Sequence, residues 1–154
     1  MHTNRRHASD SFEQREGEAV ILTLLQVELG CPLVEEVLPL GDGAVVKIDG
    51  INREHRILCE VYSRIGKLKG AQPDKLASDM LKLSLAERAL GGAWRKLICL
   101  ADPDAASCLL GKSWLAAAAR RMDFEVRVCE LPPAVRERIL AAQRRQRMVN
   151  VNVD

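Results

Sequence analysis

Two acidic residues, Asp49 and Glu60, lie in two runs of alternating apolar and polar residues that begin at Val45. Alternation with a period of two is typical of half-buried strands. If a turn near Glu54 and His55 closes a hairpin with a loop of two or four residues, the two acids face each other. Their Cβ atoms would then lie about 5 Å apart. A loop of odd length would put the two carboxylates on opposite faces of the sheet.

Paired carboxylates of this kind are suited to metal-dependent hydrolysis. Hard divalent cations prefer oxygen ligands, and a nearby ammonium stabilises developing negative charge. The segment after the second strand, SRIGKLKGAQ, contains Arg64, Lys67 and Lys69, whose charge is suited to contacts with phosphate. The alternative is that these acids and lysines are solvated and have no function. Asp42 is a weaker candidate ligand, because an Asp between two glycines commonly bonds to its own turn.

The segment 72–90 has a helical pattern with a leucine-rich face, and Asp79 lies close to the centre of that face. Lys75 and Lys82 flank the same face. An unpaired buried carboxylate is costly, so we expect Asp79 to have a partner. The candidates are Lys75 and Lys82 at helical spacing, or Arg64 and the loop lysines, which Asp79 would position for the site.

A first helix is expected from Ser11, where the spacing of a capping box begins, to Gly30. On a helical wheel Glu13 falls within the apolar arc and Glu16 falls near its edge, so either acid could approach the site. First-turn acids also favour the helix dipole without any further function. The arc itself consists of Val20, Ile21, Leu24, Leu25 and Val27.

The remaining pattern predicts alternating strands and helices. Strands are expected at 33–38, at 96–101, where a continuous apolar run is typical of parallel sheets, and around Val126 and Val128. A helical region with a break capped by Ser113 lies between the last two strands. Pro133 begins a final helix rich in arginine, which either contacts nucleic-acid backbone or forms a solvated face. The alternating residues 149–154 either fray or pair with an edge strand of a partner subunit, which would make a homodimer.

Length and composition set the domain organisation. The chain has 154 residues of which 47% are hydrophobic, and this suits a single globular domain. We expect a flexible arm over residues 1–10, the domain over 11–147 and a tail over 148–154. A net charge of +2 is too small to identify a nucleic-acid binder by itself, and 3% aromatic residues argue against base-stacking platforms.

Cysteine usage and hydropathy predict a cytoplasmic protein with no membrane span. Five widely spaced cysteines, an odd number, are typical of buried thiols in a reducing compartment. The first residues lack the apolar segment of a signal peptide, and no run approaches the roughly 18 apolar residues of a membrane helix.

The order of these elements resembles the core of the PD-(D/E)xK nuclease superfamily, the restriction-endonuclease-like fold. The resemblance covers roughly residues 11–131. Asp49 and Glu60 match the superfamily's metal-binding Asp and Glu, but Tyr62 stands where its lysine is expected. Members of the superfamily relocate this lysine, and Lys67 or Lys69 lies close enough in sequence to replace it. A glutamine at the start of the next helix, Gln72 in this chain, also occurs in some branches.

The resemblance implies an α/β domain with a mixed sheet of about five strands flanked by helices. It implies a nuclease that uses Mg²⁺ or Mn²⁺ to hydrolyse DNA phosphodiester bonds. The expected metal ligands are Asp49 and Glu60, and the other catalytic residues are Lys67, Lys69 and Gln72. The expected supporting residues are Glu13, Glu16, Tyr62, Asp79 and Lys82, and the expected DNA contacts are Arg64, Lys67, Lys69 and Lys75. Because Tyr62 occupies the lysine position, a non-catalytic nucleic-acid-binding or assembly module is the alternative, and a protein-interaction domain is a third interpretation.

Overall fold

A computed structural model describes the backbone of residues 3–151 and the side chains of residues 12–148 and 150. The helices are α1 (Thr3–Leu29), α2 (Gln72–Leu90), α3 (Pro103–Leu110), α4 (Trp114–Arg121) and α5 (Pro133–Val151). The strands are β1 (Val34–Pro39), β2 (Val45–Asn52), β3 (Ile57–Tyr62), β4 (Arg95–Leu100) and β5 (Phe124–Val128).

The five strands form one mixed sheet in the order β1-β2-β3-β4-β5. β1, β2 and β3 are antiparallel neighbours, whereas β4 lies parallel to β3 and β5 lies parallel to β4. Parallel neighbours need a crossover connection, which α2 supplies before β4 and which α3 and α4 supply before β5. The expected α/β class, with a mixed sheet flanked by helices, is confirmed.

Each face of the sheet is covered by a separate apolar core. α2, α3 and α4 pack on one face, against residues such as Leu58 and Ile98. α1 and α5 pack on the other face, against residues such as Cys59 and Leu97. The central strands β3 and β4 are therefore buried on both sides, which explains their nearly continuous apolar sequences.

Several local predictions hold. α2 has the expected bounds, Gln72 to Leu90. The Ser113 hydroxyl accepts a hydrogen bond from the backbone N–H of Ala116 and caps α4, as the expected break requires. All five cysteines are free thiols, and only Cys108 among them is not fully buried. In the described part of the chain no helix has the length and apolar character needed to cross a membrane.

The first helix differs from expectation at its start and in its buried face. α1 begins at Thr3 rather than at Ser11, because the segment before Ser11 contains no Gly or Pro that would stop a helix. Val27 is 79% exposed and Leu24 is also exposed, although the wheel put both in the buried arc. Helical periodicity gives the width of an apolar arc but not which edge of that arc meets the sheet.

The carboxyl end also differs from expectation. α5 continues through Val151, so residues 149–151 are helical and the predicted strand pairing is wrong for them. A helix that already has several turns extends at little cost where nothing breaks it, and this outweighs a short alternating pattern. Residues 152–154 of the same pattern lie outside the described residues.

Candidate active site

The hairpin between β2 and β3 has one of the two loop lengths that bring the acids together. Its ladder pairs Gly50 with Cys59 and continues to Asn52 and Ile57, which leaves the four-residue loop 53–56. Of the two alternatives, the loop of even length is the one that forms. One further step of this register would place Asp49 opposite Glu60.

A β-bulge in β2 changes the direction of the Asp49 side chain. The pairs Glu36–Ile48 and Val34–Ile51 enclose two residues of β2 but only one residue of β1. The bulge contains Asp49 and its neighbour Gly50, and bulges commonly redirect a side chain beside a functional site. The carboxylate of Asp49 accepts a hydrogen bond from the Val61 backbone N–H, at 3.0 Å, just past the last residue of β3 that pairs with β2.

Gly50 allows β2 to approach β3 closely at this bulge. A Cβ at this position would lie 2.6 Å from the Cys59 sulfur and 3.1 Å from the Leu33 Cβ. Any larger residue would therefore push the strands apart and displace Asp49.

Glu60 is buried with Asp49 beside it. Its side chain is 2% exposed, and its carboxyl lies within hydrogen-bonding reach of the Asp49 carboxyl. Burial raises the pKa of Glu60 to about 9, the contact with Asp49 adds to the increase, and Lys82 opposes it. Glu60 therefore holds its proton at neutral pH.

Lys82 approaches Glu60 without satisfying it. The Lys82 Nζ lies 2.9 Å from Oε1 of Glu60, yet this buried oxygen has no donor that is aligned for a hydrogen bond. The two groups therefore form an ion pair, but Lys82 does not donate a well-aligned hydrogen bond to the carboxylate. Oε1 thus has an ion-pair partner but no aligned donor.

Asp79 has the partner that helical spacing predicted. Lys75 lies four residues earlier on α2, and its Nζ is 2.7 Å from Oδ1 of Asp79. Burial raises the pKa of Asp79 although Lys75 opposes the increase. Oδ2 of Asp79 is buried without a hydrogen-bond partner, and the charge of Asp79 also raises the pKa of Glu60.

Glu18 is the acid of α1 that reaches the site, and the sequence interpretation missed it. Burial raises the pKa of Glu18 to about 7, and the nearby charge of Asp49 raises it further. The signal in the sequence was the adjacent Gly17, where a Cβ would lie 2.5 Å from Ile139 and 2.9 Å from Ser63. A glycine inside a helix indicates such a close approach, and the residue next to it lies near the same contact.

Glu13 and Glu16, the expected helix acids, lie on the side of α1 that faces α5. Glu13 pairs with Arg145 at 2.5 Å, and Glu16 pairs with Arg138 at 2.5 Å. The arginine-rich helix thus directs part of its charge to α1, and Arg136 lies 3.8 Å from Asp102.

The loop lysines do not contact the buried acids. Lys67 and Lys69 are exposed, and their side chains form no ion pair within the described residues. The ammonium beside Glu60 belongs to Lys82. Gln72 accepts a hydrogen bond from the Lys69 backbone N–H, at 2.9 Å, and so orders the loop rather than the acid pair.

Tyr62 lies on the same face of β3 as Glu60, in the position of the expected lysine. It is 7% exposed and belongs to the core on the α2 side. Burial raises its pKa, and the charges of Arg64 and Lys75 oppose the increase. Asp42, in contrast, is exposed and accepts a hydrogen bond from the Ala44 N–H, as expected of a turn residue.

The cluster contains more acids than lysines. Four acids act on one another electrostatically, and two lysines of α2 face them. Among the described side chains, no three His, Cys, Asp or Glu residues are grouped as a ready set of metal ligands. The donor set is thus the Asp49 and Glu60 pair, which fits a hard cation such as Mg²⁺ that fills most of its coordination shell with water. The acids of the cluster are Glu18, Asp49, Glu60 and Asp79, and its lysines are Lys75 and Lys82.

The chain matches no protein-family model, no curated protein and no solved structure in the three comparisons made. Its function is therefore inferred from its own geometry.

Proposed function

We propose that the chain is a Mg²⁺- or Mn²⁺-dependent nuclease that hydrolyses DNA phosphodiester bonds on a restriction-endonuclease-like core. The supporting observation is the contact between Asp49 and Glu60, in which burial raises the pKa of Glu60 to about 9. A buried carboxyl that stays protonated at neutral pH has too little positive charge around it. A divalent cation supplies that charge, and oxygen ligands are what Mg²⁺ and Mn²⁺ prefer.

The roles follow from position. Asp49 and Glu60 would hold the ion, which when bound polarises the phosphate and lowers the pKa of its water. Lys82 is the ammonium closest to Glu60 and replaces the lysine that Tyr62 displaces. Glu18, with a pKa of about 7, can take up or release a proton beside Asp49 near neutral pH.

A non-catalytic DNA-binding module is the second candidate function. Two observations favour it. Tyr62 occupies the lysine position, and Lys82 already lies 2.9 Å from the oxygen of Glu60. In this case the acid pair and its lysine would form a structural remnant, and DNA binding would persist without cleavage.

The discriminating experiment measures cleavage of duplex, single-stranded and branched DNA, with and without Mg²⁺ or Mn²⁺. The nuclease requires metal-dependent cleavage that disappears in Asp49→Asn. Asp42→Asn is the matched control, because that exposed acid lies in the turn before the same strand. Salt-sensitive binding without cleavage would select the module. Absence of salt-sensitive binding to these DNAs and to RNA would overturn both candidates and leave a protein-interaction domain.

A further inference from the structure

The segment that follows β3, residues 63–66, is held by side chains from distant parts of the chain. Gln143 of α5 accepts a hydrogen bond from the Ile65 N–H and donates one to the Ile65 C=O, both at 2.9 Å. Gln143 is 8% exposed and Ile65 is 5% exposed, so both hydrogen bonds are shielded from water. A buried side-chain amide that satisfies both backbone groups of one residue fixes the orientation of the two peptide groups that flank it.

Asp102 holds the next residue. Its Oδ2 accepts a hydrogen bond from the Gly66 N–H at 2.6 Å, and its side chain is 7% exposed. Asp102 stands at the N-cap of α3, where an Asp ordinarily bonds to the N–H groups of its own helix. Here it forms no such cap hydrogen bond and binds the loop instead. The Asp102 carboxylate therefore binds the loop instead of stabilising the N-terminus of α3.

These contacts fix the backbone on both sides of Arg64 while its side chain remains available. Ser63 donates a hydrogen bond to the Gln14 C=O on the α1 side, and Ile65 packs in the core on that side. Arg64 lies between them, and its charge acts on Tyr62 of the opposite face. Among the described side chains Arg64 forms no ion pair, and it is only partly exposed.

We propose that Gln143 and Asp102 are positioning residues that hold Arg64 as a preorganised clamp for a nucleic-acid phosphate next to the acid cluster. The inference rests on the DNA-binding part of the proposed function, but it requires no cleavage. Arg64 follows the end of β3 by two residues, and Lys75 lies 2.7 Å from Asp79 of the acid cluster, so two cations lie near the candidate site. Guanidinium groups bind phosphate through two parallel hydrogen bonds, and a fixed backbone reduces the entropy lost on binding.

The test is a double-mutant cycle on DNA affinity. Fluorescence anisotropy with a short labelled duplex in EDTA measures binding without any metal-dependent step. Arg64→Met should weaken binding about fivefold and should reduce the slope of log affinity against log salt by about one. Arg88→Met, on the far end of α2, is the matched control and should change affinity less than twofold by the same charge argument.

Gln143→Met tests the positioning. It should weaken binding about threefold when Arg64 is present and should have no further effect in the Arg64→Met background, since coupled residues are not additive. Gln146→Met, on the following turn of α5, is its control. If Gln143→Met does not fold, Gln143→Glu takes its place in the cycle because it keeps the acceptor for the Ile65 N–H.

Three results would overturn the proposal. Additive losses would show that Gln143 acts on stability alone. Equal effects of Arg64→Met and Arg88→Met would show that general charge, not a clamp, binds the duplex. In both cases metal-dependent cleavage could still be present, so the nuclease would stand. If the wild-type protein binds no DNA at all, the clamp and the DNA-binding function fail together.

Discussion

Two partly buried acid–lysine pairs lie in this fold at the same separation, yet the pKa of the acid is lowered in one pair and raised in the other. Near the start of β4, the Lys96 Nζ lies 2.9 Å from Oε1 of Glu87, and near the end of β3 the Lys82 Nζ lies 2.9 Å from Oε1 of Glu60. Burial favours the protonated form of Glu87, but Lys96 and the Trp94 N–H outweigh it and lower the pKa. The pKa of Glu60 is raised to about 9.

The difference comes from what else surrounds each carboxylate. Glu87 accepts aligned hydrogen bonds from Lys96 and from the backbone N–H of Trp94, each at 2.9 Å. Glu60 is buried more deeply, has Asp49 beside it, and has one oxygen without an aligned donor. A satisfied pair is typical of a structural contact, whereas an unsatisfied group of like charges is typical of a functional site. Distance alone does not distinguish the two.

The largest expected effect concerns catalysis. Asp49→Asn and Glu60→Gln should each reduce metal-dependent DNA cleavage by about a hundredfold or more, because each removes a charged oxygen ligand. Glu87→Gln should leave the turnover of the folded protein within about twofold, because it lies outside the acid cluster. Initial rates at saturating Mn²⁺ measure all three. Equal losses in the three variants would remove the distinction between the pairs.

Stability should change in the opposite order. Glu87→Gln leaves the 9%-exposed Lys96 without its carboxylate, and it should lower the free energy of unfolding by about 2 kcal/mol. At pH 8 burial keeps Glu60 mainly protonated, although the same group ionises in the unfolded chain. Glu60→Gln removes this cost, so it should be neutral or stabilising. Urea unfolding measures both. A larger destabilisation from Glu60→Gln than from Glu87→Gln would contradict the account.

The pH dependence of stability should also distinguish Glu60 from Glu87. An acid whose pKa is raised by folding stabilises the native state fully at pH values below its pKa in the unfolded chain. The stabilising contributions of Glu18 and Glu60 are therefore complete below about pH 4.5. The contribution of Glu18 is lost as the pH rises to about 7, and that of Glu60 as it rises to about 9. The lowered pKa of Glu87 acts in reverse, and its contribution is lost only in acid. Wild-type Tm should fall from pH 5 to pH 9 more steeply than that of Glu60→Gln. Parallel Tm profiles would contradict this.

The smallest expected effects belong to the exposed loop lysines. Lys67→Met and Lys69→Met should each weaken duplex binding about twofold, as expected for single phosphate contacts. Lys82→Met, by contrast, should reduce turnover strongly because its ammonium lies beside Glu60. A strong loss of turnover from a loop lysine, with Lys82→Met unaffected, would return the catalytic assignment to Lys67 or Lys69.

Local patterns in the sequence predicted the frame of the site. The alternation around Asp49 and Glu60 predicted the hairpin but left its loop length open, and the helical pattern predicted the bounds of α2. The partner of Asp79 followed from helical spacing, since Lys75 lies one turn away. Each of these features depends on residues close together in the chain.

Features that depend on packing could not be predicted in this way. Glu18 lies near Asp49 because the side of α1 that carries Gly17 packs closely against its neighbours. The rotation of a helix about its axis is set by such packing. The bulge at Asp49 depends on how β1 and β2 pair. The loop lysines lie closer to Glu60 in sequence than Lys82 does, but α2 brings Lys82 back over β3.

The most direct test of the central claim is the proton balance of metal binding. We expect Mn²⁺ to displace the proton that Glu60 holds at pH 7. Calorimetric titration at pH 7 in buffers of different ionisation enthalpy should therefore show release of about one proton per ion. Glu87→Gln should give the same result, and Asp49→Asn and Glu60→Gln should abolish binding. Unchanged Mn²⁺ affinity in both of these variants, or binding without proton release in the wild type, would contradict the account.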